Sequence, residues 1–156
     1  MIYCIDTSSI LHAWLEAYPP KNFPPVWNKL EGLIATSRLF SSDEVVRELK
    51  RKHEPAHDWA LERAHIFLPI DDAIQSVVTE ILGRYRRLVD TRKGRDPADP
   101  FVIAIAKIKN YKVVTNESFT NKLVAPNIPD VCKDMGIDSI NILQLIEDEG
   151  WIIGGS

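Results

Sequence analysis

Met1-Ile2-Tyr3-Cys4-Ile5-Asp6-Thr7-Ser8-Ser9 is the stretch whose reading decides the fold. Ile2 to Ile5 is a short apolar run with β-branched and aromatic residues, the composition of a strand buried inside a parallel sheet. Asp6 ends the run. Thr7, Ser8 and Ser9 offer helix N-cap oxygens to a segment whose apolar residues Ile10, Leu11, Trp14 and Leu15 recur at helical spacing. A carboxylate therefore stands at the carboxyl end of a strand, where an α/β protein gathers its ligands.

Outward from that strand, the prolines between Pro19 and Pro25 predict a loop. Val26, Trp27, Leu30, Leu33 and Ile34 carry helical spacing, and Leu39 and Phe40 predict a short strand. Ser42 or Asp43 caps a helix bearing Val45, Val46 and Leu49, which Pro55 is expected to end. A helix is predicted over 56–64, an extended piece over 66–70, and another helix from Asp71 or Asp72 through Leu82. Pro100 suits the first helical position and disfavours the α region at Asp99, which predicts Asp99 as an N-cap. Residues 111–115 read as a second buried strand, 116–127 as irregular, Pro129 to Gly136 as a helix and Ile140 to Glu149 as the last helix. Short strands alternating with long helices define an α/β protein with a parallel sheet covered on both faces. One domain over 1–156 is expected, and a chain of this length buries about 68–70% of its unfolded surface.

The net charge of −3, with 45% hydrophobic and 26% charged residues, fits an ordinary globular composition and not a wholly basic nucleic-acid binder. Arg84, Arg86, Arg87, Arg92, Lys93 and Arg95 nevertheless fall within twelve residues, opposed only by Asp90. They form either a solvated helix face with its loop or a phosphate-contacting patch. Cys4 and Cys132 lack metal-type spacing and are expected to be reduced thiols of a cytoplasmic protein. The chain opens directly on strand pattern, so no signal peptide is expected. Its longest apolar run, Phe101 to Ala106, is far below the roughly 20 residues a bilayer requires, so no membrane role is expected.

Among 22 acidic residues, the informative ones stand at strand ends and helix starts. Asp6 ends the first strand, Glu48 lies on the helix after the second, Asp99 opens a helix and Glu117 follows the strand through Thr115. Taken singly, Asp99 is an ordinary cap, Glu48 and Glu44 are surface acids and Glu117 is a loop acid. Asp6 is the least ordinary, because Thr7 to Ser9 already supply caps. Two ionised groups 4 Å apart repel by about 4 kcal/mol at an effective dielectric near 20, so a gathering of such acids calls for cations. An oxygen-only site favours Mg²⁺ or Mn²⁺ over Zn²⁺. Such an ion supports in-line displacement at phosphorus, and the basic run ahead of Asp99 suits a phosphate backbone. Phosphodiester hydrolysis is the chemistry these residues suggest. A glycine-rich dinucleotide turn and a Gly-x-Ser-x-Gly elbow are both absent. Ser8 occupies the position where a haloacid-dehalogenase-type phosphotransferase carries its second acid. His53 and His57 are separated by Pro55 and do not form a zinc pair.

Tyr3-Cys4-Ile5-Asp6-Thr7-Ser8, Ser42 through Leu49, Asp99-Pro100-Phe101-Val102-Ile103-Ala104 and Val113-Val114-Thr115-Asn116-Glu117-Ser118-Phe119 follow one another in an order that resembles the PIN-domain nucleases. The likeness is to the toxin ribonucleases of toxin–antitoxin modules in particular. Glu117 stands where that family usually has aspartate, and Phe119 comes one residue early. The resemblance implies a PIN-like three-layer α/β/α sandwich with a short parallel central sheet. It also implies an Mg²⁺- or Mn²⁺-dependent endoribonuclease, often a homodimer and inhibited by a small antitoxin. Asp6, Glu48, Asp99 and Glu117 would be its catalytic metal ligands. Thr7, Ser8 and Thr115 would orient them, and Arg92, Lys93 and Arg95 would contact RNA phosphates. The Glu117 departure leaves open an alternative, a degenerate PIN domain that binds RNA or a protein without cutting.

Overall fold

The computed structural model describes residues 1–89 and 97–154. β1 (Tyr3–Ile5) is the central strand of a five-stranded, all-parallel sheet ordered β3-β2-β1-β4-β5, with β2 (Leu39–Ser42), β3 (Phe67–Leu68), β4 (Lys112–Val114) and β5 (Ser139–Ile140). Tyr3, Cys4 and Ile5 are all buried, as a strand covered on both faces requires. The strands are joined by α1 (Thr7–His12), a π-helical segment (Ala13–Ala17), α2 (Pro24–Ala35), α3 (Asp43–Lys52), α4 (Glu54–Leu61), α5 (Asp72–Arg84), α6 (Asp99–Lys109) and α7 (Ile128–Met135). α8 (Ile142–Asp148) follows β5.

From β1 the chain winds outward to β2 and β3, then crosses back over β1 to β4 and β5. Right-handed crossovers place α1 to α4 on one face and α5 to α7 on the other. The packing agrees: α2 and α3 lie against β2 and β3, while α6 spans β1, β2 and β4 with α5 and α7 at its sides. The reversal of strand order between β1 and β4 is a topological switch point, whose crevice opens at the carboxyl ends of the strands. The outcome is the expected three-layer α/β/α sandwich with a short parallel sheet. Among the described residues no helix is long and apolar enough to cross a membrane.

Several boundaries depart from the sequence reading, each for a local reason. Asp6, and not Thr7, Ser8 or Ser9, is the N-cap of α1, accepting from the Ser9 N–H at 2.8 Å. Ala98 precedes α6, so Asp99 is its first residue and is not its cap. Pro24 and Pro25 open α2, and Pro55 lies in the first turn of α4, positions where a missing N–H costs no intrahelical bond. His53 separates α3 from α4 and caps the latter through Nδ1. Ile140 belongs to β5, and the helix starts after Asn141.

Gly136 ends α7 at φ 72°, in the left-handed region, and a Cβ there would meet no atom within 4 Å. The cost of a side chain is therefore conformational and not steric. Gly136→Ala should destabilise the protein by about 1–2 kcal/mol in urea unfolding with an unchanged m-value, and Gly136→Asn should lose less. Equal losses for the two variants would contradict this account.

Candidate metal centre

Strand register builds the site from the backbone upward. Ile5 pairs with Val114, so the next residues, Asp6 and Thr115, emerge side by side at the ends of neighbouring strands. The Asp6 N–H donates to the Val114 carbonyl at 3.0 Å, and Thr115 Oγ1 donates to Asp6 Oδ2 at 2.6 Å. Ser8 Oγ lies 2.8 Å and 3.0 Å from the two Asp6 oxygens and accepts from the Asn116 N–H at 3.0 Å. Asp6 is thus 1% exposed and held from three directions, by the α1 backbone, by Ser8 and by Thr115.

Thr115 also accepts from the Glu117 N–H at 3.1 Å, which folds the segment after β4 back over the strand end. Glu117 Oε1 accepts from the Ile128 N–H at 3.0 Å, at the amino end of α7, where the helix dipole favours negative charge. Asp99 arrives from the opposite side on the first turn of α6, 3% exposed. Asp6, Asp99 and Glu117 each place a carboxylate oxygen within 4.8 Å of the others. Glu48 is fully buried but is not part of that trio. Its Oε1 accepts from Thr7 Oγ1 at 2.9 Å, and Lys52 Nζ lies 3.8 Å from Oε2.

Burial, and then the charge of Glu117, push the Asp6 carboxyl up to about 7, against the hydrogen bonds from Thr115, Ser9 and Ser8 that favour its ionised form. Beneath the cluster, burial and then Asp6, Glu117 and Asp99 raise the Cys132 thiol, so the three acids act on one locus. Cys4 and Cys132 are both free, buried thiols, as the sequence suggests. The donor set is all oxygen, which fits a hard divalent cation such as Mg²⁺ or Mn²⁺.

Arg92, Lys93 and Arg95 lie outside the described residues. Of the same basic cluster, Arg84 pairs with Asp134 at 3.1 Å, while Arg86 and Arg87 are exposed. Sequence reading missed Asp130. Its carboxylate accepts from the N–H groups of Thr120, Asn121 and Asn127 and from Thr120 Oγ1, bracing the loop that carries Glu117. These bonds hold its carboxyl below the ordinary range despite burial. The signal was present as a capping box, Asn127 with Asp130 three residues on, at the start of α7.

The carboxylate trio thus stands at the reversal of strand order in a parallel sheet of PIN-like α/β/α fold. Residues 3–153 match the family model described as a domain of unknown function, DUF4411, and the chain belongs to that family. The fold is shared with the crystal structure of VapBC2 from Rickettsia felis bound to a DNA fragment from their promoter, at 18% identity and a TM-score of 0.55, covering 90% of this chain and 98% of that one. It is shared likewise with FitAB bound to an IR36 DNA fragment, at 17% identity and a TM-score of 0.54, covering 90% of this chain and 95% of that one. No curated protein sequence matches it significantly.

An unfolded aspartate titrates near 4, whereas the folded Asp6 keeps its proton to about 7. Between those values the native state holds a proton that the unfolded chain has released. The Asp6 contribution to metal-free stability therefore falls as pH rises from about 4 to about 7 and is level above. Asp6→Asn keeps a good cap and removes this fall. In urea unfolding with EDTA, its midpoint should gain on wild type across that window; a difference constant with pH would refute the assignment.

Proposed function

We propose that this chain is a divalent-metal-dependent endoribonuclease, the toxin of a toxin–antitoxin module, with Asp6, Asp99 and Glu117 holding Mg²⁺ or Mn²⁺. The observation that carries the reading is the convergence of three carboxylate oxygens within 4.8 Å at the switch point of a parallel sheet. When bound, the cation supplies charge neutralisation for the acids and Lewis-acid activation for in-line hydrolysis of a phosphodiester. The chain's own residues do the positioning. Thr115 fixes Asp6 through Oγ1 and Glu117 through its backbone, and Ser8 holds both Asp6 oxygens. Glu48 completes the site at one remove, holding Thr7 and hence the start of α1. Arg92, Lys93 and Arg95, in the segment leading into α6, are assigned to RNA phosphates. The shared fold with VapBC2 and FitAB supports a small protein antitoxin as partner. A single cytoplasmic domain over 1–156, acting as a homodimer, completes the proposal.

Incubation of the purified protein with single-stranded RNA tests it. Cleavage is expected with Mg²⁺ or Mn²⁺ and is abolished by EDTA, by Asp6→Asn and by Asp99→Asn. Thr115→Ala should slow cleavage by about ten- to a hundredfold, the usual effect of losing a group that orients a ligand. Undiminished cleavage in both asparagine variants would refute the site. Stabilisation by Mn²⁺ without cleavage of RNA would instead favour the binding-module alternative.

A further inference from the structure

We infer that Phe119, Asn141 and Gln144 form a nucleobase subsite beside the carboxylates, in which one base of the bound RNA stacks on the Phe119 ring. The inference rests on the nuclease reading for its substrate class. A cavity of about 270 Å³ is walled on one side by Thr115 and Glu117, and on the others by Phe119, Pro129, Asn141 and Gln144. Its volume lies below the roughly 300–1,000 Å³ of pockets that enclose a whole drug-sized ligand, so it suits one planar ring and not a whole nucleotide chain.

Phe119 is 52% exposed, yet the loop that presents it is firmly held. The Ser118 carbonyl accepts from Asn127 Nδ2 at 2.8 Å, and the Thr120 N–H donates to Asp130 at 2.9 Å. An aromatic residue whose backbone neighbours are held on both sides, and whose ring stands half in solvent, offers a stacking surface from a preorganised loop. Lys133 Nζ lies 6.0 Å from its centroid, and a second cavity of about 360 Å³ is lined by Phe119, Lys122 and Lys133 together with Asp130 and Asp134. The ring thus stands between the cavity at the acids and a second cavity of mixed charge.

Asn141 and Gln144 supply the edge contacts. Asn141 Oδ1 accepts from the Gln144 N–H at 2.8 Å, and Gln144 Oε1 accepts from the Asn141 N–H at 2.9 Å. Both carbonyl oxygens are occupied by this reciprocal cap, so the NH₂ groups are the ends offered as donors. They match the carbonyl and ring-nitrogen acceptors on a base edge.

The experiment is fluorescence anisotropy with a fluorescein-labelled single-stranded oligoribonucleotide, together with copies carrying one abasic position scanned along the strand. Phe119→Ala should bind about tenfold more weakly and Phe119→Trp should restore binding, as expected for loss and recovery of one base stack. At one position the abasic strand should bind wild type about tenfold more weakly and lose nothing further in Phe119→Ala. Asn141→Asp, which keeps the cap and removes the donor, should also weaken binding. In cleavage assays the Phe119→Ala loss should fall in KM and not in kcat. Equal binding by wild type and Phe119→Ala overturns the subsite and leaves Phe119 to a protein surface. Phe119-dependent binding without cleavage retains the subsite and refutes the nuclease reading; cleavage with a Phe119-independent KM does the reverse.

Discussion

The carboxylate of Asp6 is hydrogen-bonded at both oxygens, yet its charge is buried beside like charges, and the carboxyl end of the sheet is arranged around that constraint. It is 1% exposed and shares its surroundings with Asp99 and Glu117. Each ionised pair, 4.8 Å apart or closer, repels by roughly 3 kcal/mol or more at an effective dielectric near 20. Hydrogen bonds from Ser9, Ser8 and Thr115 favour the charged form, yet burial and Glu117 outweigh them and the carboxyl rises to about 7. Selection for stability alone would replace one of the three acids with a neutral isostere of similar shape. Local conflict of this kind inside an otherwise consistent fold is where a functional site is to be sought.

Three separate structural devices bring the acids together. Asp6 is placed by parallel register, because β1 and β4 end together and the following residues must sit side by side. Asp99 is placed by a helix start, on the element that spans the middle strands from the other face. Glu117 is placed by a loop, and loops hold position only when something braces them. Asp130 does so with four acceptances along 120–127, and the Ile128 N–H holds the Glu117 carboxylate itself. The three acids come from a strand end, a helix start and a loop, with Thr115 shared between Asp6 and Glu117, so the cluster is a convergence and not a single motif.

The sheet and most of its helices were legible because their signals are local. Buried apolar runs, a Ser42 cap and a Gly136 stop each carry their own physics. Asp6, Asp99 and Glu117 could be singled out because strand ends and helix starts can be located from pattern alone. What the sequence did not disclose was division of labour. Asp6 serves as helix cap and cluster member at once, which made Thr7 to Ser9 look like the caps. Glu48 reads as a fourth equal acid because chain order says nothing about a 2.9 Å bond to Thr7. Asp130 escaped because its capping-box position three residues after Asn127 reveals the helix start but not the N–H groups of Thr120 and Asn121 that it also holds. The two-residue strand β5 is too short for any period to show.

Two departures from the PIN-like pattern, glutamate at 117 and phenylalanine at 119, fall in one braced loop. Their positions allow them to be read together. Glutamate is one methylene longer than aspartate, and here that reach lets a side chain from the loop touch the amino end of α7 while standing within 4.8 Å of two other acids. A chain drawn toward α7 at residue 117 and fixed again at Ser118 and Thr120 turns residue 119 outward between them. The exposed ring is then a consequence of how the third acid is anchored. Such an arrangement couples the placement of a carboxylate to the placement of an aromatic surface two residues away. Coupled loop geometry of this kind is where proteins that share a fold can differ in what they recognise.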